Sequence, residues 1–285
     1  TAAALSKERK MRFSRRQFLG LASALGLASC AKVKKVVPDV NLSRLTPSFG
    51  GGDFTFAAIN DVHVLDTKSV GIVNEAVNSI NADDRVEFTV VLGDIATDGR
   101  YEELSLAKVA FDRLEQPYFA VPGNHDVYVK AKDIFGNYKS TFGPVHWDEG
   151  EEGWLFIGLN SCEEAKSDVA VQPDEIAWLE ENLKKVNRDR PIALFVHHPF
   201  NPNTKAYRVK NADEVLAMYA GYNLKLVAAG HYHGNQVEEH NGVLFTTTAC
   251  CATTRDNFDE TKEKGYRLFH VTDNAIETEF VVVRS

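Results

Sequence analysis

Cysteine is scarce in this chain of 285 residues: it occurs four times, at positions 30, 162, 250 and 251. The spacing fits neither a disulfide scaffold nor a zinc knuckle, so Cys162, Cys250 and Cys251 read as buried thiols whose pairing the sequence does not define. Long apolar runs are lacking too. The run from Phe18 to Ala28 is too short to span a bilayer. Internal repeats and low-complexity tracts are absent, which argues against a solenoid or a disordered chain. Basic charge is thin beyond residue 37. Nine of the 32 Lys and Arg, but only one of the 40 acids, fall in residues 1–37, leaving 23 bases against 39 acids, a net of −16. Such an acidic body does not attract nucleic acid through its overall field, so no nucleic-acid partner is expected. If it handles phosphates, something local must supply positive charge. The 44% hydrophobic and 25% charged residues are ordinary globular composition, enough for one large domain or two small ones.

The front of the chain reads as processing sequence. A basic start precedes the Phe18–Ala28 run, the order of regions found in an export signal. Ser14-Arg15-Arg16-Gln17-Phe18-Leu19 resembles a twin-arginine motif, and Leu27-Ala28-Ser29-Cys30 resembles a lipobox with Cys30 as the lipidated residue. The expectation is export to a periplasmic or cell-surface face, with membrane contact only through a lipid anchor at Cys30. Residues 1–10, before Met11, read as upstream sequence; residues 31–52 read as a linker, and 53–285 as one domain.

From residue 53 the chain alternates. Short apolar runs stand at "FTFAAIN", "EFTVVLGD", "PYFAVPGN", "WLFIGLNS", "PIALFVHHP" and "LKLVAAGHYH", as strands buried on both faces do. Helical patterns lie over 67–80, 101–115 and 172–187, the last opened by Pro173 and Asp174. Beyond residue 233, Asn241-Gly242 and Asp273-Asn274 read as hairpin turns between antiparallel strands. The order implies an α/β domain.

Five of the apolar runs end in polar groups: Asp61 and His63; Asp94; Asn124, His125 and Asp126; His197 and His198; His231 and His233. The carboxyl ends of strands in an α/β sheet share one edge, where ligands bind, so these groups should converge. Uncompensated, so many imidazoles and carboxylates would be costly in a dry place. Metal ions remove that cost. Imidazole with carboxylate suits Zn, Fe or Mn, and the donors are too many for one four-coordinate ion. Two ions, with Asp94 as the bridging carboxylate, are the economical count, and two ions suit phosphoryl chemistry.

Asp61-Val62-His63, Gly93-Asp94, Gly123-Asn124-His125-Asp126, His197 and Gly230-His231-Tyr232-His233, in that order, resemble the calcineurin-like metallophosphoesterase pattern. The resemblance implies an α/β four-layer αββα sandwich of two mixed sheets, hydrolysing a phosphoester with a metal-bound hydroxide. It implies Asp61, His63 and His233 on one ion, Asn124, His197 and His231 on the other, and Asp94 between. His125 would face the substrate and protonate the leaving group, with Asp126 orienting its ring. His198 would support the site or face substrate. The metal-binding Tyr of the purple acid phosphatases has Thr97 in its place, so the closer resemblance is to the cyclic-nucleotide and glycerophosphodiester phosphodiesterase branch.

Substrate choice should lie in residues 127–150 and 199–222. The aromatics Tyr128, Phe135, Tyr138, Phe142 and Trp147 read there as packing rather than as a platform. Arg100 reads equally as a phosphate contact or a solvated loop residue. A small-molecule or lipid-headgroup phosphodiester is the expected substrate. The rivals are a phosphomonoesterase or nucleotidase on the same ions, and a non-catalytic binding lipoprotein.

Overall fold

A computed structural model describes residues 53–150, 153–204, 206–272 and 275–284. The expected export signal, Cys30 and the linker lie outside the described residues. All six apolar runs form strands: β1 (Phe54–Ile59), β2 (Val86–Leu92), β3 (Tyr118–Val121), β5 (Leu155–Gly158), β6 (Pro191–Phe195) and β7 (Asn223–Ala229). The edge strand β4 (Trp147–Glu149) was not legible in the pattern, and β8 (Gln236–His240), β9 (Val243–Thr247), β10 (Lys264–Val271) and β11 (Ile276–Val283) complete the set. The three expected helices are α1 (Val70–Asn81), α2 (Tyr101–Phe111) and α4 (Pro173–Leu183), each shorter than its pattern. Two short helices, α3 (Gly136–Phe142) and α5 (Ala212–Ala217), are additional.

Two mixed sheets result. One has the order β11-β10-β1-β2-β3 and the other β4-β5-β6-β7-β9-β8. Strands β1, β2 and β3 are parallel, and so are β5, β6, β7 and β9. The C-terminal strands form antiparallel pairs as expected, β8 with β9 and β10 with β11, and each pair extends one of the two sheets. Asn241 (φ 53°) and Gly242 (φ 77°) make the tight turn between β8 and β9, but β9 then runs parallel beside β7 and extends the second sheet. The β10–β11 pair instead joins β1 in the first sheet. The turn residues Asp273 and Asn274 lie outside the described residues.

Three apolar layers hold the sandwich together. The helix-facing side of the first sheet packs Ala57 and Ile59 against Val73, Val77 and Phe111 of α1 and α2. The second sheet packs Ile192, Leu194 and Val227 against Leu179 and Val215 of α4 and α5. Between the sheets lies a layer rich in aromatic rings, built by the period-two alternation of strands. Phe56 is at its centre. It stacks on Phe88 (centroids 4.8 Å apart) and Phe269 (4.7 Å), its register neighbours on β2 and β10, and meets Phe195 of the other sheet edge-on at 5.7 Å.

Fully buried rings in contact across sheets tolerate truncation poorly. Phe56→Ala is expected to destabilise the fold by about 3–5 kcal/mol, read as a lower urea midpoint at unchanged slope. A loss under about 1 kcal/mol would show that the inter-sheet layer collapses to fill the hole.

Candidate metal centre

The carboxyl ends of β1, β2, β3, β6 and β7 reach a common edge, and the backbone there is unusual. Asp61 (φ 52°), His63 (43°), Asp94 (50°), His231 (61°) and His233 (48°) all lie in the left-handed region. That region is uncommon for side-chain-bearing residues, though Asp and His tolerate it better than most. The segments after β1 and β2 stay tied as they turn, through Asp61 N–H to the Gly93 carbonyl (3.0 Å), His63 N–H to that of Asp94 (3.0 Å) and Val64 N–H to that of Ile95 (2.8 Å). Backbone strain at such a site is held in place by this surrounding pairing.

The side chains gather into two buried groups. In one, Asp61, His63, Asp94 and His233 bring their donor atoms within 4.8 Å of one another. In the other, His197, His198 and His231 do the same. Asp94 connects them, with Oδ2 at 3.6 Å from His63 Nε2 and Oδ1 at 3.3 Å from His197 Nε2. Asn124 adds its side-chain oxygen 3.3 Å from His197 Nε2.

Backbone carbonyls aim three of the imidazoles. Leu92 accepts from His197 Nδ1 (2.8 Å), Asp256 from His233 Nδ1 (3.0 Å) and Ser167 from His231 Nε2 (3.1 Å). A carbonyl only accepts, so it fixes the proton on that nitrogen and leaves the opposite lone pair facing inward, the tautomer a metal ligand needs. In addition, Asp61 Oδ1, His63 Nδ1 and His198 Nε2 are buried without a hydrogen-bond partner.

The electrostatics ask for a cation. Burial alone would raise the Asp61 carboxyl, yet the His233 ring beside it brings it down to about 2. Burial would lower His233, but the Asp61 carboxylate at 3.1 Å pushes it up to about 11. In the same way, Asp94 outweighs burial to raise His197 to about 9, while Asp94 itself is held well below the usual carboxylate range. Burial pushes His63 down to about 3 and His231 to about 4. Two carboxylates thus draw protons onto two imidazoles. Divalent ions would displace those protons and satisfy the neutral imidazoles as well, so the donor set fits such ions.

One expected role looks different in the structure. Asp126 does not orient His125. Its Oδ1 accepts from Ile95 N–H and Ala96 N–H (both 2.8 Å) and its Oδ2 from Gly123 N–H (2.8 Å), tying the turn after β2 to the turn after β3. Burial and the nearby Asp94 carboxylate push Asp126 up to about 7. The His125 ring is instead held by the Thr97 carbonyl, 2.7 Å from Nδ1. The Thr97 hydroxyl donates to the His63 carbonyl (2.9 Å). His198 is fully buried and cannot meet substrate. Its Nδ1 bonds the Ser161 hydroxyl (2.9 Å), and its ring lies 4.3 Å from that of His231. Ser161 and Asn160 end β5 as polar residues, so the strand-end rule applied to "WLFIGLNS" would have found them.

Beside the donor groups opens a cleft of about 310 Å³, with His125, Arg100, Tyr128 and Lys130 in its lining. Of the other aromatics, Tyr138 is buried, Phe142 packs against the helix-side core and Trp147 lies between the sheets, as the packing reading expects.

The glycines of the motifs are set by close approach. A Cβ on Gly123 would lie 2.2 Å from both the amide nitrogen and Oδ1 of Asp94. Gly123→Ala is therefore expected to displace Asp94 and lose at least one of the bound ions, read by elemental analysis beside an unchanged circular dichroism spectrum. Retention of both ions would show that the two turns can move apart. Loading the wild-type protein with Mn²⁺ near pH 7 is expected to release on the order of two protons, from His197 and His233. Calorimetry in buffers of different ionisation enthalpy reads that number, and binding without proton release would contradict the charge balance.

Residues 54–235 match the family model for calcineurin-like phosphoesterases. The chain is 28% identical over 217 residues to a glycerophosphodiester phosphodiesterase of Enterobacter lignolyticus, a match covering 67% of this chain and 75% of that protein. It is 27% identical over 206 residues to the 3',5'-cyclic adenosine monophosphate phosphodiesterase of Haemophilus influenzae, covering 68% and 74%. The fold resembles a purple acid phosphatase from yellow lupin seeds, with a TM-score of 0.63 at 10% identity over 82% of this chain and 52% of that one. With the family model covering more than half of the chain, from β1 to β7 and every strand end that supplies a donor, the chain belongs to the calcineurin-like phosphoesterase family.

Proposed function

We propose that this phosphoesterase cleaves phosphodiesters of small molecules, using two ions drawn from Mn, Fe and Zn. The observation that carries the reading is the pair of donor groups joined through Asp94, with His125 outside both and lining the cleft. The relatives named for cyclic-nucleotide and glycerophosphodiester cleavage support a diester. Asp61, His63 and His233 would hold one ion, Asn124, His197 and His231 the other, and Asp94 both. When bound, two such ions draw a nucleophile from water near neutral pH and polarise the phosphoryl group.

The protein's own groups do the rest. Thr97 accepts the His125 Nδ1 proton, so Nε2 is the nitrogen left to carry a proton to a departing alkoxide. The backbone N–H of the same residue donates to Asp94 Oδ1 at 2.8 Å, which couples the acid's position to that of the shared carboxylate. Asp126 positions both turns through its three backbone contacts. Asn124 contributes a neutral oxygen, keeping negative charge low where an anion must approach.

A monoester is the second reading, because Arg100 and Lys130 line the cleft and would suit a further negative charge. Arg100 is already matched by Asp98, 2.9 Å away, which leaves the diester favoured. Export and attachment through Cys30 are proposed from Ser14–Leu19 and Leu27–Cys30 in the sequence. Labelling with a radioactive fatty acid in a cell that processes lipoproteins tests the attachment, and an unlabelled Cys30→Ala control with an equally unlabelled wild type would refute it.

On manganese-loaded protein, kcat/KM for bis-p-nitrophenyl phosphate is expected to exceed that for p-nitrophenyl phosphate, and the reverse order would replace the diester with the monoester reading. His125→Ala is expected to keep both ions and lose about 10²–10⁴ in kcat, the usual range for a proton-transfer group. Loss of metal in that variant would make His125 a ligand instead.

A further inference from the structure

Two exposed aromatic rings stand over the second edge of the donor groups, and the chemistry above does not use them. Tyr207 lies in the segment between β6 and α5, and Phe258 in the segment between β9 and β10. Large exposed aromatics are few among the described residues. Phe258 is 55% exposed and Tyr207 38% exposed, with Tyr101 the other example. Both rings rest on donor imidazoles. Phe258 stacks on His233 with centroids 5.2 Å apart and planes within 14°, and Tyr207 meets His231 edge-on at 4.9 Å. The two rings are 6.1 Å from each other and inclined by 40°.

Neither ring is a loose surface side chain. The Phe258 N–H donates to the His233 carbonyl at 3.1 Å. Its neighbour Asn257 is buried and bonded to Thr261, Glu263, Cys250 and Lys264, which pins the turn. Tyr207 has a φ of 61°, a conformation that a bulky residue adopts only where its surroundings impose it. Exposed apolar surface on a rigid frame beside a polar reaction centre marks a binding site rather than a core.

We infer that Tyr207 and Phe258 form a stacking platform for a planar ring attached to the scissile phosphate, so that nucleoside phosphodiesters are the substrate class favoured over ringless diesters. The inference deepens the phosphodiester reading and rests on it. Aromatic side chains bind bases through their faces with little dependence on which base is present. The Phe258 ring already lies nearly parallel to an imidazole, and its 55% exposure leaves ring surface open to a base.

The test compares wild type with Phe258→Leu and Tyr207→Leu, which keep an apolar cover on His233 and His231 but remove the ring. Both are checked first for two bound manganese ions. Cyclic 3',5'-adenosine monophosphate and glycerophosphoethanolamine serve as the ring-bearing and ringless substrates. The ratio of their kcat/KM values is expected to fall about tenfold to a hundredfold in the variants, mainly through KM for the nucleotide. An unchanged ratio, with the two substrates affected alike, would make the pair a cover for the imidazoles and overturn the platform. A wild type that cleaves the ringless diester but shows no advantage for the nucleotide would overturn it too, while leaving the phosphodiester reading intact. If wild type cleaves neither diester, that reading falls, and calorimetric titration of adenosine 5'-monophosphate decides the platform alone. Weaker binding in Phe258→Leu would support it, and equal or undetectable binding in both proteins would overturn it.

Discussion

The Asp94 carboxylate sits under the tightest set of demands in this protein. One oxygen faces the His63 group, the other faces the His197 group and also accepts the His125 N–H, and Gly123 has no side chain because none would fit against it. Two strand ends, two donor groups and the acid-bearing turn therefore take their positions from one side chain. A buried carboxylate in this position is tolerated because the protonated His197 ring faces one of its oxygens, and ions held by the two donor groups would add positive charge on both sides. The acidic character of the body as a whole does not matter at this scale. The local positive charge that phosphate handling requires is assembled at one edge by the topology.

What allows that edge to be so polar is the layer beneath it. The phenylalanines between the sheets bury large apolar area and pack in stacked and edge-on pairs, which contribute beyond area alone. Buried histidines and aspartates contribute little net stability and constrain geometry closely. The division of labour along β1 is explicit. Phe54 and Phe56 lock the sheets together, and Asp61 and His63 a few residues on depart from strand geometry altogether. Arg267 on β10 repeats the pattern in another form, reaching neutral oxygens of Thr248 and Asn235 across the sandwich rather than an acid.

Much of this was legible from residue order. Parallel strands share their carboxyl edge, so polar residues at the ends of apolar runs must meet, and that rule gathers the donors from five strands. The rule says where side chains gather but not what each one touches. The family resemblance placed Asp126 on the His125 ring, where in fact three backbone N–H groups claim its oxygens, because main-chain donors at turns leave no mark in the sequence. The same resemblance gave His198 a choice between support and substrate, and its burial after β6 favours support. Tyr207 and Phe258 are separated by 51 positions and meet only because β9 pairs beside β7. The short strand β4 and helices α3 and α5 carry too few residues for their periodicity to show.

The left-handed conformation at Asp61, His63, Asp94, His231 and His233 bears on how this protein can change over time. Each such residue stores about 1–3 kcal/mol of strain relative to a residue suited to that conformation, above all glycine. Substitutions that relax the strain abolish a donor, so the easiest gains in robustness are open only to a lineage that abandons its chemistry. A descendant freed from selection for turnover would be expected to drift toward glycine and asparagine at these five positions and become a sturdier, silent sandwich. A descendant that kept all five would thereby report continuing use, more informatively than one that kept only the phenylalanine layer, which folding alone would preserve.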